Sequence, residues 1–230
     1  VTSRKIWLVL SAALAVAVYA LMWIGYTSSW NWLTTIEASL LDIGHRYGVA
    51  HPAWVTAWNV FCTLLGPTVL RLVTLIVIIF SLVRRNLRVA LFLVISVEFS
   101  GIITVIAKQA TNRSRPATAL VPAPFNSFPS GHALGVMVGV LALLTVVLPV
   151  VRRPLRAWLV ALGALTVVAI GIGRVVLNVH YPSDVIAGWA IGYAYYVACL
   201  LMVRPTPPNA STSAHSAAVR RPCGPIWNRV

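Results

Sequence analysis

Long runs of apolar residues, broken by short polar connections, occupy most of this chain. Six runs stand out: Ile6 to Ile24, Val60 to Val83, Ala90 to Ala107, Ala133 to Val150, Leu155 to Ile172 and Val185 to Val203. Each approaches the ~20 residues that a helix needs to cross a bilayer. A backbone in hydrocarbon satisfies its own polar groups only as a helix or a closed barrel. The pattern therefore predicts an all-α polytopic membrane protein with six transmembrane helices. The run after Arg4-Lys5 is too long for a signal peptide and shows no convincing cleavage site, so it is expected to be the first span.

Between the first two runs the pattern changes. Ile36, Leu40 and Ile43 recur at helical spacing among polar neighbours, and Thr34 followed by Glu37 has the form of a capping box. A short helix opening there and ending near Gly48 would lie in the outer interface. It would act either as a plain cover or as an element that shapes lipid access, with Trp30, Trp32 and Trp54 at headgroup level. From Pro205 onward, prolines and a Ser/Thr/Ala stretch predict a disordered tail. The expected organisation is one membrane domain over residues 1–204 and a tail over 205–230.

Charge then orients the helices. Of 230 residues, 59% are hydrophobic and 10% charged, mean hydropathy is +0.86, and net charge is +14. Twelve of the 18 Lys and Arg residues (Arg4, Lys5, Arg84, Arg85, Arg88, Arg152, Arg153, Arg156, Arg204, Arg220, Arg221, Arg229) fall on one side of the predicted bundle. The positive-inside rule makes that side cytoplasmic, with both termini there. A nucleic-acid partner would require a solvated basic face, which this distribution does not supply. Cys62, Cys199 and Cys223 are odd in number and lack metal-ligand spacing, so neither a disulfide framework nor a metal site is expected. The excess of Arg over Lys, with abundant Ala and Val, suggests a bacterial source. Composition alone also fits a small channel or transporter.

Four of the remaining six basic residues belong to three polar clusters on the opposite face, where ionisable groups near apolar spans point to function. Lys108 and Arg115 are seven residues apart, two turns along one face if the third helix continues until Pro116 stops it. They would cradle a phosphate, or simply snorkel to the membrane edge. Pro129-Ser130-Gly131-His132 precedes the fourth run. Ser130 could cap that helix, Gly131 admits an anion to the backbone, and His132 could protonate a leaving oxygen. The alternative is an ordinary capped helix start. Arg174, His180 and Asp184 form the third cluster, with Asp184 one turn beyond His180 and near the N-terminus that Pro182 opens. That pair reads equally as a structural His–Asp contact or as a nucleophile with its orienter. Together the clusters hold the equipment for phosphoryl transfer through a covalent histidine. Arg113 would point elsewhere on a continuing helix, and Glu98 and Arg71 are expected to pair between the third and second helices. Asn112-Arg113-Ser114 matches a glycosylation acceptor by chance overlap with the cradle.

The combination Lys108-x6-Arg115-Pro116, Pro129-Ser130-Gly131-His132 and Gly173-Arg174-x5-His180-x3-Asp184 resembles the three-part signature of the type 2 phosphatidic acid phosphatase superfamily. The resemblance implies a membrane lipid phosphatase that uses no metal or other cofactor. In it His180 attacks phosphorus, Asp184 orients His180, and His132 protonates the leaving group. Lys108, Arg115, Arg174, Ser130 and the Gly131 backbone would hold the phosphoryl oxygens. Gly173 departs from the Ser of many members. The site would face the extracytoplasmic side of a bacterial inner membrane, with the bilayer and a lipid phosphate as partners. A polyprenyl diphosphate is the first expectation, ahead of phosphatidylglycerophosphate and phosphatidic acid. A lipid-to-lipid phosphotransferase, a vanadate-dependent haloperoxidase and a non-enzymatic anion transporter are the alternatives; six apolar spans argue against the haloperoxidase.

Overall fold

The computed structural model describes residues 2–205, and every regular element among them is helical. The chain runs α1 (Thr2–Thr27), α2 (Asn31–Ala50), α3 (Pro52–Leu64), α4 (Pro67–Val83), α5 (Leu87–Leu93), a π-helical turn (Val94–Glu98), α6 (Ser100–Thr111), α7 (Gly131–Val147), α8 (Arg153–Val176) and α9 (Pro182–Met202). Prolines sit in the first turn of α3, α4, α8 and α9, where a missing N–H costs nothing. Five helical stretches are long and apolar enough to cross a membrane: Ser3–Thr27, Pro52–Val83, Leu87–Thr111, Arg153–Val176 and Pro182–Met202. The sixth apolar helix, α7, has 17 residues, or about 26 Å at 1.5 Å per residue. The expected tail lies outside the described residues apart from Pro205.

The α7 helix is the centre of the bundle. Leu134, Val136, Val138 and Ala142 on it are fully buried against α4, α8 and α9. Small residues bring the backbones together, as is usual where lipid gives no hydrophobic drive to helix pairing. A Cβ added at Gly188 would lie 2.6 Å from the Ser130 carbonyl oxygen, and one at Gly192 would lie 2.9 Å from that of Leu134. The outer surface is apolar: Trp7, Ile76, Trp158 and Leu165 all stand exposed, as lipid-facing side chains must.

Several expectations need correction. The second apolar stretch begins at Pro52 rather than Val60, because α3 and α4 follow one another across a break at Gly66, where a Cβ would meet the Cys62 carbonyl oxygen at 2.3 Å. The Thr34–Glu37 capping box does not form. Helix α2 already starts at Asn31, so Thr34 lies inside it and its hydroxyl donates back to the carbonyls of Trp30 and Asn31 at 3.2 and 3.1 Å. Glu37 instead faces inward and is buried. The third helix does not continue to Arg115: it ends at Thr111, where Asn112 turns left-handed with φ 45°. Glu98 and Arg71 make no ion pair. Glu98 sits in the π-helical turn, which alters the helical phase, and Arg71 donates to Ser100 Oγ at 3.4 Å.

Candidate active site

The close approach of α7 and α9 places their N-termini side by side, and the Ser130 N–H donates to the Asp184 carbonyl at 2.9 Å. Ser130 Oγ caps α7 by accepting from the Ala133 N–H at 3.4 Å, which leaves Gly131 and His132 in the first turn as expected. The positive ends of the two helices therefore lie together.

Asp184 occupies the first turn of α9 with no exposure. Its Oδ2 accepts from the Tyr181 N–H at 2.9 Å, from His180 Nδ1 at 3.4 Å and from the Ser127 hydroxyl, while Oδ1 accepts from Arg113 Nη1 at 2.6 Å. A carboxylate held by so many donors stays ionised and immobile. It therefore draws the proton of His180 onto Nδ1 and leaves the Nε2 lone pair outward. Arg115 Nη1 points at that atom and donates to it at 3.2 Å. Burial pushes the His180 pKa down to about 4, against the opposing pull of the Asp184 hydrogen bond and charge. The ring is thus neutral near pH 7.

Arg115 reaches this position from a loop, not from a helix face. Its Nη1 donates to the Val179 carbonyl at 2.6 Å, Nη2 to Pro124 at 2.8 Å and Nε to Phe125 at 3.0 Å. Burial lowers its pKa and the Asp184 charge works the other way, yet a guanidinium keeps its proton. Lys108 remains on α6 and donates to the carbonyls of Asn126 and, at 3.4 Å, Ser127. A Cβ at Gly131 would lie 3.9 Å from Lys108 Cε, so the lysine stem runs past the α7 N-terminus. Arg174, at the end of α8, is 7% exposed and its Nε has no hydrogen-bond partner, an arrangement suited to a ligand oxygen. His132 lies within electrostatic reach of Arg174, His180, Arg115 and Lys108. The eight residues singled out from sequence thus gather at one end of the bundle. At Gly173, a Cβ would meet Cys62 Sγ at 2.6 Å, so the absence of Ser there has a packing reason.

Five further residues build the site. Asn178, left-handed with φ 55°, ties the loop between Arg174 and His180 to α2, by donating from Nδ2 to the Leu41 carbonyl at 2.8 Å, and to the loop after α6, by donating to Thr118 Oγ1 at 3.0 Å. Ser127 braces Asp184. Glu37 and Ser183 join Arg113 in a buried network: Arg113 Nη2 donates to Glu37 Oε2 at 2.7 Å, Nη1 to Ser183 Oγ at 2.8 Å, and Ser183 N–H to Glu37 Oε1 at 3.2 Å. One signal could have found Glu37: it is among only four acidic residues in the chain.

A histidine–carboxylate pair facing three cations, at two helix N-termini of an apolar bundle, defines a membrane protein with a built anion site. The family model described as PAP2 superfamily matches residues 89–207, and the chain belongs to that superfamily. An undecaprenyl-diphosphatase of Sulfolobus acidocaldarius is 34% identical over 127 residues, 52% of this chain and 56% of that protein. A lipid A 1-phosphatase of Rhizobium etli is 35% identical over 114 residues, 44% of each chain. The chain spans about half the length of the curated relatives it matches. A transmembrane PAP2-type phosphatidylglycerolphosphate phosphatase from Bacillus subtilis has the same fold, with a TM-score of 0.64 at 18% identity, over 90% of this chain and 98% of that one.

Proposed function

We propose that this chain is a lipid phosphate phosphatase that works through a phosphohistidine on His180, without a metal. The observation that carries the reading is the pairing at His180: Nδ1 is committed to Asp184 at 3.4 Å, and Nε2 faces the Arg115 fork at 3.2 Å. A phosphoryl group held by Arg115, Lys108 and Arg174 would draw the Arg115 N–H onto its own oxygens and free that lone pair to attack phosphorus. The Nε2–P bond forms as the P–O bond to the leaving group breaks. His132 gives its proton to the departing oxygen; the substrate's negative charge favours that protonated form. In the second half, water attacks phosphorus, His132 takes the water proton, the N–P bond breaks and inorganic phosphate leaves. Cations and the α7 N-terminus stabilise the charge on the equatorial oxygens throughout.

The substrate we propose is a polyprenyl diphosphate, in line with the name of the Sulfolobus relative, followed by other lipid phosphomonoesters. The topology proposed is six spans, with α7 added to the five long ones as the fourth in chain order, and α2 in the interface, since Ile36, Leu40 and Ile43 lie exposed while Leu33, Glu37 and Leu41 turn inward. Positive-inside charge puts Arg84, Arg88, Arg152 and Arg204 in the cytoplasm and the site on the extracytoplasmic side of a bacterial inner membrane. Phosphate release by detergent-purified protein across a panel of lipid phosphates, with and without EDTA, tests this. Turnover by His180→Ala would refute the mechanism. Label passing from one lipid to another would make the protein a phosphotransferase.

A further inference from the structure

Two buried charges take no part in that chemistry. Glu37 is 2% exposed and Arg113 is 6% exposed, and they come from parts of the chain 76 residues apart. The guanidinium of Arg113 lies between two rings, 4.4 Å from Tyr26 and 3.8 Å from Tyr181, so it is held in place and cannot swing to a phosphate. Its two forks face two carboxylates, Glu37 Oε2 at 2.7 Å and Asp184 Oδ1 at 2.6 Å, with the Ser183 hydroxyl between them. Burying such a set contributes little stability compared with apolar packing, so stability alone is a weak account of it.

We propose that Glu37 and Arg113 are a positioning pair that fixes the orientation and charge of Asp184 behind the nucleophile, and so ties the docking of α2 to the reactivity of His180. This rests on the phosphatase reading above. The groups that bear on His180 are Asp184 from α9, Arg115 and Ser127 from the loop after α6, Arg174 from α8 and His132 from α7, while Lys108 from α6 bears on Asp184 and His132. Asp184 is the one carboxylate among them, and Arg113 reaches His180 through it. Arg113 shares its charge between two carboxylates. Removing the Glu37 charge turns all of Arg113 onto Asp184 and weakens the pull of Asp184 on the His180 proton. Removing the Arg113 charge leaves Asp184 unopposed and strengthens that pull. The two changes act on His180 with opposite sign, which a loss of packing would not do.

The test is the pH profile of kcat/KM for farnesyl diphosphate hydrolysis by the full chain in detergent. Glu37→Gln is expected to move the acid limb down, and Arg113→Gln up, each by roughly half a pH unit or more. In both, kcat falls by about tenfold to a hundredfold, the cost of a misplaced reacting group, with KM nearly unchanged. Glu37→Asp and Arg113→Lys keep the charges and lose the reach, so kcat falls while the acid limb stays put. Shifts in the same direction, no shift, or a raised KM with intact kcat would overturn the proposal. If the neutral variants do not fold, wild-type kcat in Glu37→Asp and Arg113→Lys overturns it instead. His180→Ala separates the two claims. Turnover in that variant refutes the phosphatase mechanism, whereas an inert His180→Ala beside wild-type behaviour in the pair variants refutes the pair alone.

Discussion

The two ends of the bundle spend the same side chain, arginine, in opposite ways. At the end where α1 begins and α9 finishes, Arg84, Arg85, Arg88, Arg152, Arg153 and Arg204 are exposed, and among the described residues none of them makes an ion pair with a carboxylate. At the other end, Arg113 and Arg174 are buried and Arg115 is half-buried, and the carboxylates Glu37 and Asp184 lie beside them. Headgroups and water solvate an exposed charge at a membrane edge at little cost, so the first set needs no partners. A desolvated charge needs matching partners. Arg113 has two carboxylates and a hydroxyl, Arg115 has three carbonyls and a histidine nitrogen, and Arg174 keeps a buried, unpartnered Nε. Burial with specific partners, and not the number of positive charges, separates chemistry from topology in this chain.

That contrast can be broken by mutation, starting where the effect is greatest. His180→Ala should reduce phosphate release by on the order of ten-thousandfold or more, the scale seen when a nucleophile is removed, while the melting temperature stays near wild type. Arg115→Ala should lower kcat by about a hundred- to a thousandfold, as for loss of one donor to a developing charge; a Michaelis–Menten series measures it. Gly188→Ala should act on stability, since its Cβ would press on Ser130 and Ala133 at 2.6 and 2.9 Å. Such overpacking costs about 1–3 kcal/mol, and thermal unfolding in detergent would report it. At the opposite end, Arg84→Gln and Arg88→Gln should leave kcat within about twofold, as exposed substitutions usually do. A large catalytic loss there would erase the distinction between the ends.

The pH dependence sharpens the same comparison. His180 is held neutral down to about 4 by burial, so kcat/KM should be insensitive to His180 titration near neutrality and fall as pH drops through that value. The unfolded chain takes up the His180 proton near pH 6.5. Between about 6.5 and 4 the unfolded state therefore binds more protons than the folded one, and the His180 contribution to stability, fully present above that window, is lost as pH falls through it.

Local chemistry was legible in the sequence; long-range pairing was not. Pro182 and Ser130 announce helix starts by backbone rules that act over a few residues, and both helices begin there. Spacing put Asp184 one turn from His180, and the two are in contact. Arg115 was expected on a continuing helix because nothing local marks Asn112 as its left-handed end; a loop returns the side chain to the same site. Glu37 looked like a capping residue because Thr34 stands three positions before it, yet its partner Arg113 is brought in only by the packing of α2 on the bundle. The π-helical turn at Val94–Glu98 inserts a phase change that hydrophobic periodicity does not reveal, and Arg71 donates to Ser100 in place of the expected pairing with Glu98.

The central claim is that His180 carries the phosphoryl group between two half-reactions. Rapid quenching of the enzyme with a lipid diphosphate labelled in its terminal phosphate, followed by mass mapping of the peptides, measures it directly. The expected result is an acid-labile, base-stable phosphate on the peptide containing His180, absent from His180→Ala. Full turnover with label on another residue, or in the His180→Ala variant, would contradict it.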